Sequence, residues 1–150
     1  MVVRRLLILS LVLAALIAPW LALEPTQAGP RTDAAFVRST NALRAARGLP
    51  RLRVSATLTG LAQHHSAAMA SRDRLWHNDI SGATNHWVWL AQNVGVGSSV
   101  EALQQAFMNS PSHRANLLRR RANLIGVGTY VSHGRIWVTV NLEQTTPGWP

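Results

Sequence analysis

No cysteine occurs anywhere in the 150 residues, and that absence decides how the chain must hold itself together. It excludes a disulfide scaffold, a cysteine-ligated zinc site and a thiol nucleophile. Buried apolar surface has to supply the stability instead. The length suits one domain rather than two, and a chain of this size buries about two-thirds of its unfolded surface, enough for a core without staples. With 47% hydrophobic and 14% charged residues, it is not a disordered polyelectrolyte.

The first 28 residues have the three parts of an export signal. Arg4 and Arg5 supply the positive end, Leu6–Ala18 is apolar apart from Ser10, and Pro19 breaks the run. Thr26-Gln27-Ala28 then offers a small-x-small cleavage site. The competing reading is an uncleaved anchor: Leu6–Leu23, about 27 Å long as a helix, just spans a bilayer. No cysteine follows the run, so a lipoprotein anchor is excluded. The expected organisation is a signal peptide over 1–28 and a single domain over 29–150, outside the cytoplasm, either secreted or at the cell envelope. Membrane contact is then expected only through the leader, if it is retained.

All 15 basic residues are arginine, against 6 acidic ones, for a formal charge of +9. Such a field favours anionic neighbours: phospholipid headgroups, acidic wall polymers or nucleic acid. An extracytoplasmic location speaks against nucleic acid. Beyond Arg119–Arg121 there is no dense arginine run, so solubility accounts for the charge without a partner.

Along the rest of the chain, Thr32 is placed to cap a helix near Asp33–Arg47, with Phe36, Thr40 and Leu43 on one face and Gly48 as its stop. Ser55 caps a second helix near Ala56–Arg72, whose stripe of Leu58, Leu61, Ala62, His65 and Met69 keeps the 3.6-residue period. His65 therefore reads as a buried histidine bonded to backbone. Leu75–Leu90 is irregular and rich in tryptophan, so it covers an apolar surface or lines a groove. Ala91–Gly97 reads as a short strand. Ser98 and Glu101 form a capping box for a third helix ending at Asn109. Ser110-Pro111 opens a fourth, serine as N-cap and proline at the first position, running to about Arg119. Leu124–Val131 and Ile136–Leu142 form an antiparallel hairpin joined by Ser132-His133-Gly134-Arg135. Trp137 is expected inside the sheet with its indole N–H partnered. Asn93 and Asn116 read as structural side chains that bond backbone. His86 and His133 read as solvated loop residues. The sum is an α+β fold.

The order of short motifs resembles the CAP superfamily (cysteine-rich secretory proteins, antigen 5 and pathogenesis-related proteins) in a cysteine-free bacterial form. The matching stretches are Asn41-x-x-Arg44…Gly48-Leu49-Pro50-x-Leu52, Ala62-Gln63-x-His65-Ser66-x-x-Met69-Ala70 and Trp76-His77. They continue with Gln92-Asn93-Val94-Gly95-x-Gly97, Phe107-Met108-Asn109-Ser110-Pro111-Ser112-His113-Arg114-Ala115-Asn116-Leu117-Leu118, Ile125-Gly126-Val127-Gly128 and Trp137-Val138-Thr139. The resemblance implies a three-layer α-β-α sandwich with a small, mainly antiparallel sheet flanked by helices. It also implies a cleft where two histidines and two acidic residues gather, often around a divalent metal. His77 and His113 match the two histidines. The acidic positions fall on Gln92 and Ser110, so both carboxylates are replaced.

That replacement has a chemical consequence. A zinc site wants about four donors, and two imidazoles with a neutral amide oxygen make a weak one. His77 and His113 are thus candidate ligands of a weak metal site for an ion such as zinc, and no cofactor is required. The amide of Gln92 is no general base near neutral pH. At the third helical position after Ser110, His113 is expected to be neutral, because the positive helix end disfavours its proton. Ser110 and Ser66 make poor nucleophile candidates. There is no G-x-S-x-G elbow, no acid evidently placed to orient a histidine, and Ser110 is expected to be engaged as a cap.

The expected function is a non-catalytic binding module at the cell envelope, with a groove around His77, Gln92, Ser110 and His113. The resemblance suggests lipids, sterols or other hydrophobic small molecules as cargo, or a cell-wall component as partner. The alternative is a divalent-metal-dependent hydrolase centred on His77 and His113; a purely structural, protein-binding module is a third. The oligomeric state is not legible.

Overall fold

The computed structural model describes residues 29–148, so the expected leader lies outside the described residues. The elements run α1 (Pro30–Ala45), β1 (Arg53–Val54), α2 (Ala56–Ser71), β2 (Trp87–Gly97), α3 (Val100–Asn109), α4 (Pro111–Leu117), β3 (Leu124–Ser132) and β4 (Arg135–Thr145). The strands form one sheet in the order β1-β3-β4-β2. β1 pairs with β3 in parallel, and the other two pairings are antiparallel. This is the expected α+β architecture of helices around a small, mainly antiparallel sheet.

Strand alternation separates two faces. Val138, Val140 and Leu142 of β4 and Ile125 and Val127 of β3 point one way, into a cluster with Phe36 of α1, Leu103 and Phe107 of α3 and Leu117 of α4. Trp137 points the other way, to Met69 and Ala70 of α2 and Val94 of β2. On that second face the sheet presents few large side chains. Gly126 and Gly128 of β3 lie against the α2 backbone itself. A Cβ at Gly126 would sit 2.2 Å from the Leu58 carbonyl carbon, and one at Gly128 would sit 2.0 Å from Gln63 N. No side chain fits there. Beside the glycines, polar contacts lock the helix down. Ser66 Oγ donates to the Gly128 carbonyl at 2.8 Å and lies 2.9 Å from Thr139 Oγ1. Asn141 Nδ2 donates to the Leu58 carbonyl at 3.1 Å.

The N-x-x-R…G-L-P-x-L stretch now has a local explanation. Asn41 clamps the Leu52 backbone from both sides, Nδ2 to its carbonyl at 3.1 Å and Oδ1 from its N–H at 2.8 Å. Arg44 is fully buried, with no carboxylate partner among the described residues. Its guanidinium donates to the carbonyls of Pro50, Leu117, Arg119 and Ala122. Burial pulls its pKa down from the usual 12.5. These four carbonyls replace the water a buried cation would lose, and they tie the loop after α1 to the loop after α4.

Several element ends differ from expectation. α1 starts at Pro30, with Gly29 rather than Thr32 at the cap, because proline at the first helical position lets the helix begin earlier. α3 is capped by Ser99, whose side chain accepts from Ala102 N, not by Ser98. Ser110 is N-cap to α4 by position but makes no side-chain cap bond; its Oγ lies 3.4 Å from Ser112 Oγ. β2 begins at Trp87, inside the stretch read as irregular, because cross-strand pairing with β4 continues to Thr145. The hairpin closes over two residues, His133 (φ 49°) and Gly134 (φ 69°). Consecutive left-handed residues suit the twist of a two-residue hairpin turn. The short parallel strand β1 is an addition.

Candidate functional site

Gln92 is the centre of the candidate site, and its hydrogen bonds are complete. Its Oε1 accepts from the Asn78 backbone N–H at 3.2 Å and from His77 Nδ1 at 3.1 Å. Its Nε2 donates to Asn78 Oδ1 at 2.8 Å and to Asn141 Oδ1 at 3.0 Å. The amide orientation follows from chemistry. A backbone N–H can only donate, so the atom facing Asn78 N is the oxygen. Asn141 is fixed likewise, because the Leu58 carbonyl accepts its Nδ2. The His77 tautomer follows in turn: facing an amide oxygen, Nδ1 must carry the proton. In the neutral ring, Nε2 then keeps the lone pair used for metal binding or proton transfer.

Gln92 and Asn93 are consecutive, so their side chains leave β2 on opposite faces. Gln92 holds His77 on the α2 face. Asn93 faces the other helices, donating to the His113 carbonyl at 3.0 Å and accepting from Asn116 at 2.9 Å. The His113 ring rests on Phe107, centroids 5.0 Å apart. Because β2 is the last strand of the sheet, the two histidines flank its free edge from either side. They still sense each other: burial first, and then the neighbouring His77, lower the His113 pKa below the usual 6.5. The expected neutral His113 thus agrees with its surroundings, although burial rather than the helix end is the leading cause.

The adjoining cleft, about 500 Å³, is walled by His77–Ser81 and Trp87–Gln92. Of the four residues expected around one groove, His77 and Gln92 line it, while Ser110 and His113 do not. Trp76, read as part of the groove, turns inward instead. It packs edge-on against His65 at 5.1 Å, with Arg72 and Arg74 over its ring. His65 is buried as expected, with Nε2 2.8 Å from the Trp76 carbonyl. A carbonyl only accepts, so this nitrogen carries the proton. Burial chiefly lowers the His65 pKa below 6.5. Trp137 is buried as expected, but its Nε1 has no partner among the described residues. His86 is half-buried and engaged rather than solvated; His133 is exposed, in the hairpin turn.

The donor set does not fit a strong metal site. Both lone-pair directions of the Gln92 oxygen are taken, so it has nothing left to offer an ion. Among the described residues no group of three or more His, Asp or Glu side chains could hold a metal. Two imidazoles are what remain.

Two buried acids escaped the sequence reading. Glu143 on β4 is fully buried, accepts from Thr84 Oγ1 at 2.9 Å and leaves Oε2 without a partner. It pins the loop before β2 onto the sheet. Asp33 in α1 accepts from Thr129 Oγ1 at 2.6 Å and from Gln63 Nε2 at 2.9 Å. Burial outweighs these bonds and raises its pKa above 3.8. For Glu143, the strand alternation that places Trp137, Thr139 and Asn141 inward was the available signal. Asp33 had none.

The family model described as the cysteine-rich secretory protein family, CAP, matches residues 37–142. No curated protein sequence matches. Among solved structures, an outer surface protein of Borrelia burgdorferi is similar over 82% of this chain and 100% of its own, at 15% identity and a TM-score of 0.74. An extracellular protein containing an SCP domain from Bacillus anthracis follows at 22% identity and a TM-score of 0.67, covering 77% of this chain and 41% of its own. A cysteine-rich secretory protein from Staphylococcus aureus has 23% identity and a TM-score of 0.63, with coverage of 81% and 40%. The chain thus spans about two-fifths of the length of the last two. At these identities the likeness is one of fold.

Proposed function

Because the chain belongs to the cysteine-rich secretory protein (CAP) family, we propose that it acts outside the cytoplasm as a non-catalytic binding domain. Its ligand would be an apolar small molecule or lipid held in the cleft between His77–Ser81 and Trp87–Gln92. One observation carries this reading: Gln92, at the position of the family's acid, spends all its hydrogen-bonding capacity on Asn78, His77 and Asn141. A neutral, saturated amide neither takes a proton near pH 7 nor offsets a cation's charge. What Gln92 does is fix the cleft wall and the His77 ring. The exposed Trp87 and the partly buried Trp89 supply apolar surface beside it. Export through the 1–28 leader belongs to the same proposal, supported by the extracellular relatives.

The test is intrinsic tryptophan fluorescence during titration with a fatty acid and with a sterol, on protein whose fold is checked by circular dichroism. A saturable change, reduced by Val88→Asp, is expected. An unchanged spectrum for both ligands with folded protein rejects the reading. The rival hydrolase has one supporting feature: His77 bonds Gln92 through Nδ1, so its Nε2 is turned away from that bond, and His113 lies across the same strand. Peptidase activity that depends on added zinc and is abolished by His77→Ala would establish it instead.

A further inference from the structure

Six exposed arginines without an ion pair among the described residues collect at one end of the domain. Buried Arg44 ties the loop after α1 to the loop after α4 through four carbonyls. The first loop and β1 carry Arg47, Arg51 and Arg53; the second carries Arg119, Arg120 and Arg121. All six are exposed. Arg53 N donates to the Asn123 carbonyl, which brings the two groups into contact along the backbone. None of the six has an ion pair among the described residues. Glu143, which pairs with Leu124 across the sheet, is fully buried and turned to Thr84. Asp33 lies in the first turn of α1, near its far end, and Asp73 pairs with Arg135 across the molecule. Glu101 starts α3, and Asp79 accepts from the Ser81 N–H in the loop before β2.

The same end is also apolar. β2 begins there, with Trp87 39% and Val88 50% exposed. Arg119 joins the two chemistries: its guanidinium lies 4.6 Å above the Trp89 ring and bonds Gln144 Oε1 at 3.3 Å. Guanidinium forks match phosphodiester oxygens. Exposed tryptophan beside them is the chemistry of a headgroup boundary. A soluble polyanion would use the arginines but has no use for Trp87 and Val88.

We propose that this basic end docks on the surface of a bilayer rich in anionic phospholipid. The proposal does not depend on what the cleft holds. The arginines engage phosphate groups while Trp87 and Val88 enter the headgroup boundary. Gly29, the first described residue, lies at the other end of α1, about 24 Å away for 16 residues.

The experiment is co-sedimentation of the purified protein with phosphatidylglycerol-rich vesicles and with pure phosphatidylcholine vesicles. Binding is expected to the first, to weaken with salt, and to exceed binding to the second. Arg51→Gln, Arg53→Gln, Arg120→Gln and Arg121→Gln remove exposed side chains with no bonded partner among the described residues, so the fold is retained. Each is expected to cost roughly fivefold in partitioning, and the four together at least a hundredfold. Arg31→Gln with Arg38→Gln, on α1 away from this end, serves as the control and should bind like the wild type. The proposal is overturned if the fourfold variant binds like the wild type, if the control loses as much, or if neutral vesicles bind equally well. It is also overturned if a soluble teichoic acid binds tightly while the anionic vesicles do not, which would assign the surface to wall polymer.

Discussion

The two faces of the sheet are held by different forces. On the face covered by α1, α3 and α4, large side chains interdigitate: Phe36, Phe107, Leu117, Val138, Val140 and Leu142. On the face covered by α2, backbone meets backbone at Gly126 and Gly128, and hydroxyls and amides fill the remaining space. The first face tolerates lost volume at a graded cost, because neighbours relax into a gap. The second has no side chain to move aside, so added volume must displace a helix. Gln92 belongs to this rigid, polar face, and that is why the cleft wall and the His77 tautomer are fixed.

The largest effect expected from this contrast is Gly128→Val. Its Cβ would meet the α2 backbone at 2.0 Å, so folded protein should be lost, or destabilised by more than about 4 kcal/mol. Leu142→Ala on the apolar face should cost about 2–5 kcal/mol with the fold retained. Denaturant unfolding followed by circular dichroism compares the two, and a smaller loss at Gly128 would break the contrast. Thr139→Val keeps shape but removes one of the two partners of Ser66 Oγ, leaving the Gly128 carbonyl. A loss of about 1–2 kcal/mol is expected, against near-neutrality if packing alone mattered there.

Acid should act next. His65 and His113 have pKa values lowered below 6.5 in the folded chain. The unfolded chain therefore takes up protons first as pH falls. Their contribution is present above pH 6.5 and is lost as pH drops from 6.5 towards the lowered folded values. His65→Gln keeps an N–H for the Trp76 carbonyl while removing the titration. It should flatten the fall in the unfolding midpoint, and an unchanged slope would shift the cause to other groups. The smallest effect belongs to Ser110→Ala. A capping serine is worth about 1 kcal/mol, but this hydroxyl bonds no helix N–H, so a change within about 0.5 kcal/mol is expected.

Local chemistry was legible wherever it acted alone. Ser55 as a cap, the break after Asn109 and the β3–β4 hairpin follow from neighbouring residues. Choices between adjacent candidates were not, as at Ser98 against Ser99, because both serines satisfy the same rule. The start of β2 at Trp87 was hidden for another reason: its partners, up to Thr145, lie far along the chain. For the site, the replacement of acid by amide at Gln92 is visible in the sequence. That the amide is saturated, and that His77 and His113 flank opposite sides of an edge strand, is not.

By itself the sequence determined the cysteine-free core, the order of the elements and the residue types available at the site. These follow from side-chain chemistry and periodicity, which are properties of short stretches. Only the tertiary structure decided which of those residues meet. It buried Arg44 among carbonyls from two loops, joined Arg47, Arg51 and Arg53 to the Arg119–Arg121 run, and turned Glu143 inward. The reason is that contacts between distant segments depend on how helices and strands stack. Here that stacking is set by two glycines whose missing side chains let α2 lie directly on the sheet.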